Sequence, residues 1–92
     1  MDYDSEIKSA KRRISNCDNQ ITYINKAIDK YNETLELLKP IKEIEKCDIL
    51  RKNISKKIEE LQIKIRSIEA TKSRLRSKIN QLNNKKRQEI NG

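Results

Sequence analysis

Apolar residues recur along the first half of the chain at alternating intervals of three and four residues. This spacing is typical of a coiled-coil seam, in which a narrow apolar stripe on one helix faces the stripe of another. The pattern is unbroken from residue 7 to residue 38 and predicts a first helix over about 4–38. One row of the seam holds Ile7, Ile14, Ile21, Ile28 and Leu35, and the other holds Ala10, Cys17, Ile24, Tyr31 and Leu38.

The second half repeats the spacing, with charged residues in one of its rows. It predicts a second helix over about 49–90, after a turn region over about 39–48. Pro40 ends the first helix, because proline disfavours helical backbone at the residue before it. Asp4 or Ser5, and Asp48, are the predicted N-caps of the two helices. The apolar row holds Ile54, Leu61, Ile68, Leu75 and Leu82, and the interrupted row holds Arg51, Ile58, Ile65, Lys72 and Ile79.

A chain folded back at its middle aligns the two patterns in one antiparallel register. Ile7 then faces Leu82 and Ala10 faces Ile79, and in each such pair the two residue numbers add up to 89. The same rule aligns all ten layers of the seam. We therefore predict an all-α fold, a single-domain antiparallel two-helix coiled-coil hairpin. Dimerisation or a partner would extend it to a four-helix bundle.

Two layers of this register contain a charge. Lys72 faces Cys17, where its stem can pack while its ammonium group reaches solvent. A polar residue in a seam commonly specifies register, and a contact with a partner is the alternative interpretation. Arg51 faces Leu38 close to the turn, where we expect the helices to splay.

Composition excludes most other folds. The 92 residues include 34% hydrophobic and 39% charged residues, without Trp or Phe, which is too little apolar volume for a broad globular core. One Gly and one Pro cannot supply the turns of a sheet protein.

The side chains offer little catalytic chemistry. The chain has no His and only two cysteines, Cys17 and Cys47, so a zinc site of four ligands is excluded and the cysteines are expected to be small apolar fillers. Glu59 and Glu60 point about 100° apart on a helix and do not form a carboxylate pair. We predict a protein that is not an enzyme and binds no cofactor or metal.

The sequence also bears on location. No stretch approaches the ~20 apolar residues of a membrane span, and no signal-peptide pattern opens the chain. We expect a cytoplasmic protein without membrane insertion, and export without a cleaved signal peptide stays open.

Charge is concentrated in the second half, which carries the whole net charge of +8. Gln20, Ala27 and Thr34 lie opposite its lysine row and cannot neutralise it, and only Glu6 is placed to pair with that row. The row is either a solvated face or a docking face for an acidic protein partner. It consists of Lys57, Lys64, Lys78 and Lys85.

Nucleic acid is the alternative acidic partner, because phosphate binding needs clustered cations. All three tyrosines lie in the first half, so the basic segment has no stacking platform. The candidate cations are Lys72, Arg74, Arg76, Lys78, Lys85, Lys86 and Arg87.

Apolar residues outside the seam gather around the turn. They either cap the hairpin or form an exposed patch that meets a partner, which includes a second copy of the chain in a homodimer. This group consists of Leu37, Ile41, Ile44, Ile49 and Leu50.

A hairpin of this length with the opening Met1-Asp2-Tyr3-Asp4-Ser5-Glu6-Ile7 resembles the small accessory proteins of type VII secretion. It is most similar to helpers that pair with the helical domain of LXG toxins. The Trp-x-Gly turn of the WXG100 proteins is absent from residues 39–47, and the tail at 85–90 has no Tyr-x-x-x-Asp/Glu export motif. The resemblance therefore implies an intracellular adaptor or chaperone for a larger helical partner. Phage-encoded small coiled-coil inhibitors have the same character.

Overall fold

The protein consists of two long helices in the part that the structure describes. The computed structural model describes residues 2–41 and 44–91, with the backbone alone at Ile44 and Asn91. Helix α1 spans Tyr3–Leu38 and helix α2 spans Ile44–Asn91. No strand occurs within those ranges. The predicted all-α hairpin is confirmed.

Helix α1 begins at Tyr3, one residue before the predicted start, and its N-cap differs from the predicted one. The carboxylate of Asp2 accepts a hydrogen bond from the backbone N–H of Ser5, with a nitrogen–oxygen distance of 3.1 Å. Asp2 is therefore the N-cap, and the assignment of that role to Asp4 or Ser5 is wrong. Asp2, Asp4 and Ser5 can each cap a helix, and the observed start places Tyr3 on the seam row of Ala10, seven residues before it. The helix ends at Leu38, two residues before Pro40.

Helix α2 also begins earlier, at Ile44 instead of residue 49. Asp48 lies inside the helix and forms an ion pair with Arg51 at 3.0 Å, so its assignment as the N-cap is wrong. The additional turn buries Cys47, which lies one heptad before Ile54 on the same seam row. Burial of this side chain stabilises helix where the polar residues around it indicate a turn. Residues 42 and 43 of the predicted turn lie outside the described residues.

The chain divides into two compact units, which we name by their position in the sequence. The terminal unit contains Met1–Gln20 and Ser67–Gly92. Ile7, Ala10, Leu75 and Leu82 are buried in it. Its half-buried residues on the predicted seam are Ile14, Cys17, Ile68 and Ile79.

The central unit contains Ile21–Arg66, and therefore the turn. Its core is one layer deep, since no described side chain is less than 2% exposed. Its buried seam residues are Ile24, Ile28, Leu38, Cys47, Ile54 and Ile58, and its half-buried ones are Ile21, Tyr31, Leu35, Arg51, Leu61 and Ile65.

Candidate interaction surfaces

Two lysines on the interrupted seam row of α2 form ion pairs across the terminal unit. Lys72 is only 7% exposed, and its ammonium group pairs with Asp18 of α1. Lys86, fourteen residues further along α2, pairs in the same way with Asp4, fourteen residues earlier in α1, at 2.5 Å. From the first pair to the second, the residue number rises along α2 and falls along α1, as it does between antiparallel helices. Both ammonium groups form ion pairs within the protein, so they do not contribute to the basic surface predicted for nucleic acid.

A tyrosine–carboxylate bond lies beside these pairs. The hydroxyl group of Tyr3 donates a hydrogen bond of 3.0 Å to the Oε1 atom of Glu89. This hydrogen bond raises the pKa of Tyr3 above its ordinary value of 10.0, with smaller contributions from desolvation and from the negative charges of Glu89 and Glu6. Tyr3 therefore connects the start of α1 to the end of α2, and its hydroxyl group is occupied by this hydrogen bond.

Arg51 connects the two helices in the central unit through a hydrogen bond. Its guanidinium group donates a hydrogen bond of 2.7 Å to the backbone carbonyl of Leu38, the last residue of α1. The same carbonyl accepts the N–H of Ile41 at 3.1 Å. The expectation that the helices splay at this layer is wrong, because the charged side chain satisfies a helix-terminal carbonyl that has no partner within its own helix.

The apolar residues around the turn are exposed. Leu37 is 73% exposed, Ile49 63%, and Ile41 and Leu50 44% each. These four form the turn-end cluster. The side chain of Ile44, also predicted to belong here, lies outside the described residues. Because the four side chains face solvent, the interpretation that they cap the hairpin is not supported.

The predicted lysine row is exposed at all four positions. Lys57 and Lys64 belong to the central unit, and Lys57 lies 3.9 Å from Glu60, a long and solvent-exposed ion pair. Such pairs contribute little to stability. Lys78 and Lys85 belong to the terminal unit. Each unit thus presents two of these charges to solvent.

A groove on the terminal unit brings cations of both helices together. We call it the cationic groove, and it is lined by Arg13, Thr71, Arg74, Leu75 and Lys78. Arg13 is absent from the predicted basic surface, which is confined to the second half. Arg13 lies one heptad after Glu6, on the face of α1 that meets the lysine row, and is level with Lys78. Heptad counting along α1 could therefore have identified Arg13 from the sequence.

A second groove continues along the same side of the terminal unit. Glu6 borders it together with Lys78 and Lys85, the two lysines it is predicted to pair with. Within the described residues Glu6 forms no ion pair, and the cross-helix pair at this end joins Asp4 and Lys86 instead.

The described residues contain no group of three or more Cys, Asp and Glu side chains that could hold a metal ion. Cys17 and Cys47 are both free thiols. In the described parts of both helices, no stretch is apolar and long enough to cross a membrane.

No protein-family model, curated protein or solved structure matches this chain. The similarity to type VII secretion accessory proteins stays a prediction.

Proposed function

We propose that the protein is a non-enzymatic adaptor or chaperone that binds a larger helical protein through the central unit. The observation that carries this proposal is the exposure of the turn-end cluster, 44–73% for its four residues. Each lies within a few residues of the turn, so the exposed apolar surface is concentrated where α1 ends and α2 begins. Apolar surface of this kind gains free energy when a partner covers it.

Helical character of the partner is supported by the pattern along α2. Leu50, Lys57 and Lys64 follow one another at intervals of seven residues and therefore share one face of the helix within the central unit. An amphipathic partner helix with an apolar segment followed by acidic residues matches this face. Leu50 would then meet the apolar segment, and the two lysines would meet the acidic residues.

The proposal is tested by capture of the partner from the native host. The tagged full chain is compared with a turn-end variant, Leu37→Gln/Ile49→Gln. Glutamine retains high helix propensity, so the variant removes apolar surface without weakening the helices. We expect one host protein to be retained by the wild type and reduced about tenfold or more in the variant, since two exposed anchors contribute roughly 1 kcal/mol or more each.

Ile63→Gln is the matched control. Ile63 is 59% exposed on α2 of the same unit but lies away from the turn. We expect it to retain the captured protein. Lys57→Glu/Lys64→Glu should weaken capture, and more so at low salt. Equal capture by the wild type and the turn-end variant would refute the proposal.

A further inference from the structure

Three cationic side chains line the cationic groove, one from α1 and two from α2. Arg13, Arg74 and Lys78 share it with Thr71 and the buried Leu75. No acidic residue lines it. Within residues 2–41 and 44–91, Arg13 and Lys78 form no ion pair. The groove is therefore a concentration of positive charge without an internal counter-charge.

The register of the helices creates this concentration. Arg13 and Lys78 occupy corresponding heptad positions on antiparallel helices, where an acidic residue on one of them would form a stabilising pair. Like charges at such positions repel each other, so a bound anion relieves a repulsion that the free protein carries. The guanidinium group of Arg74 is held beside the groove by a hydrogen bond to the Thr71 hydroxyl, at 3.4 Å.

The row of cations continues beyond the groove. Lys78 also borders the neighbouring groove, which contains Lys85 and one acidic residue, Glu6. From Thr71 to Lys85 these residues extend along about 21 Å of helix at 1.5 Å per residue. Residues 70–88 of α2 contain seven Lys or Arg and no Asp or Glu, and five of the seven remain after Lys72 and Lys86, which pair with aspartates of α1, are set aside. A row of this length matches an extended polyanion better than a single small anion.

We propose that this face of the terminal unit binds the phosphate backbone of double-stranded nucleic acid. Guanidinium groups present planar donors that match phosphate oxygens, and two of the three cations in the groove are arginines. A duplex offers one negative charge per roughly 1.7 Å of its axis. The charges on one face of an acidic protein helix recur only about every 5.4 Å, so they match the row of cations less densely than the phosphates of a duplex do.

A duplex also suits this face better than a single strand. Single strands are held by aromatic side chains on which bases stack. In the terminal unit the one tyrosine is Tyr3, whose hydroxyl is bonded to Glu89, and it is half-buried. Contacts to phosphates alone carry no sequence information, so binding is expected to be independent of sequence.

The experiment measures binding of the full chain to a labelled 30-base-pair DNA duplex by fluorescence anisotropy, at several salt concentrations. The groove variant is Arg13→Gln/Arg74→Gln, and the matched control is Arg12→Gln/Arg76→Gln. The control removes two arginines from the same two helices, at exposed positions that do not line the groove. Circular dichroism checks that both variants remain helical.

We expect the groove variant to bind about tenfold more weakly than the wild type, with a log–log salt slope reduced by about 1.8, because two phosphate contacts are lost. The control should weaken binding less than about threefold, through the general field alone. The turn-end variant Leu37→Gln/Ile49→Gln should bind the duplex normally, which separates this site from the proposed protein-binding surface.

Four results would overturn the proposal. Equal weakening by the groove and control variants would mean diffuse attraction without a site. Equal or tighter binding of a single strand of the same length would exclude the duplex as the preferred ligand. Displacement of the duplex by polyglutamate at equal charge concentration would indicate an acidic protein instead. Absence of binding at 50 mM salt would equally reject it.

Discussion

At the scale of single residues, the charged side chains on the seam find partners on the opposite helix. Lys72 and Lys86 each pair with an aspartate one position beyond the layer they belong to, Asp18 and Asp4. In a parallel pair or a shifted register these carboxylates would not be within reach. The two ion pairs therefore favour the observed alignment over its alternatives, a use of polar seam residues known from other coiled coils.

Asp18→Asn tests the pair at Lys72. The variant leaves a nearly buried ammonium group with weaker compensation, so the free energy of unfolding should fall by about 1 kcal/mol. Urea unfolding followed by circular dichroism measures it. Asp29→Asn, which removes the same charge from an exposed position of the same helix, is the control and should cost less than about 0.3 kcal/mol. Equal losses in both variants would mean that only net charge matters.

Tyr3 supplies a prediction about pH. Since its pKa is raised in the folded protein, the bond to Glu89 contributes fully below pH 10.0, the ordinary value, and is lost as the pH rises through the raised pKa. In a Tyr23→Phe/Tyr31→Phe background, ultraviolet titration should give a pKa above 10.0 for Tyr3. Glu89→Gln should lower it toward 10.0. An unchanged titration in Glu89→Gln would contradict the assigned cause.

At the scale of the helices, both starts are set by contacts that precede the regular apolar pattern. Asp2 caps α1 through the N–H of Ser5, and Cys47 is buried in the first turns of α2. The junction between the helices depends on Arg51, which lies one layer from the turn and binds the carbonyl at the end of α1. A charge that looks like a defect in the apolar row is thus a cap for the neighbouring helix.

Arg51→Met tests this role. Methionine keeps apolar volume in the seam but leaves the Leu38 carbonyl without its charged donor, so the free energy of unfolding should decrease by about 1–2 kcal/mol. Amide hydrogen exchange should increase at residues near the end of α1. Lys52→Met, at the adjacent exposed position, should have little effect on either measurement. A variant more stable than the wild type would show that the seam prefers an apolar residue here.

At the scale of the whole molecule, charge is out of balance. The chain carries 22 Lys or Arg against 14 Asp or Glu, and half of the ion pairs among the described residues are exposed at both partners. Exposed pairs contribute little, whereas repulsion among an excess of like charges opposes the folded state. Salt weakens both the attraction within ion pairs and the repulsion among like charges. We expect the repulsion to lose more free energy than the attraction.

The melting temperature should therefore rise by about 4 °C, or about 1 kcal/mol, between 20 and 300 mM NaCl. Thermal unfolding followed by circular dichroism at 222 nm measures it. Arg12→Gln/Arg76→Gln, which lowers the net charge of +8 by two, should show a smaller rise. A melting temperature that falls with salt would indicate that the ion pairs outweigh the repulsion.

The two helices, the residues of their seam and the antiparallel register can be read from the amino-acid sequence, because a 3,4 apolar spacing is local and only one alignment matches both halves. The helix starts, the partners of Lys72 and Arg51, and the exposure of the turn-end cluster follow only from the packing of one helix on the other. It also placed Arg13 beside Arg74 and Lys78. These features depend on which side chains meet across the helices, and heptad spacing along one helix specifies a face but not the atoms that face it.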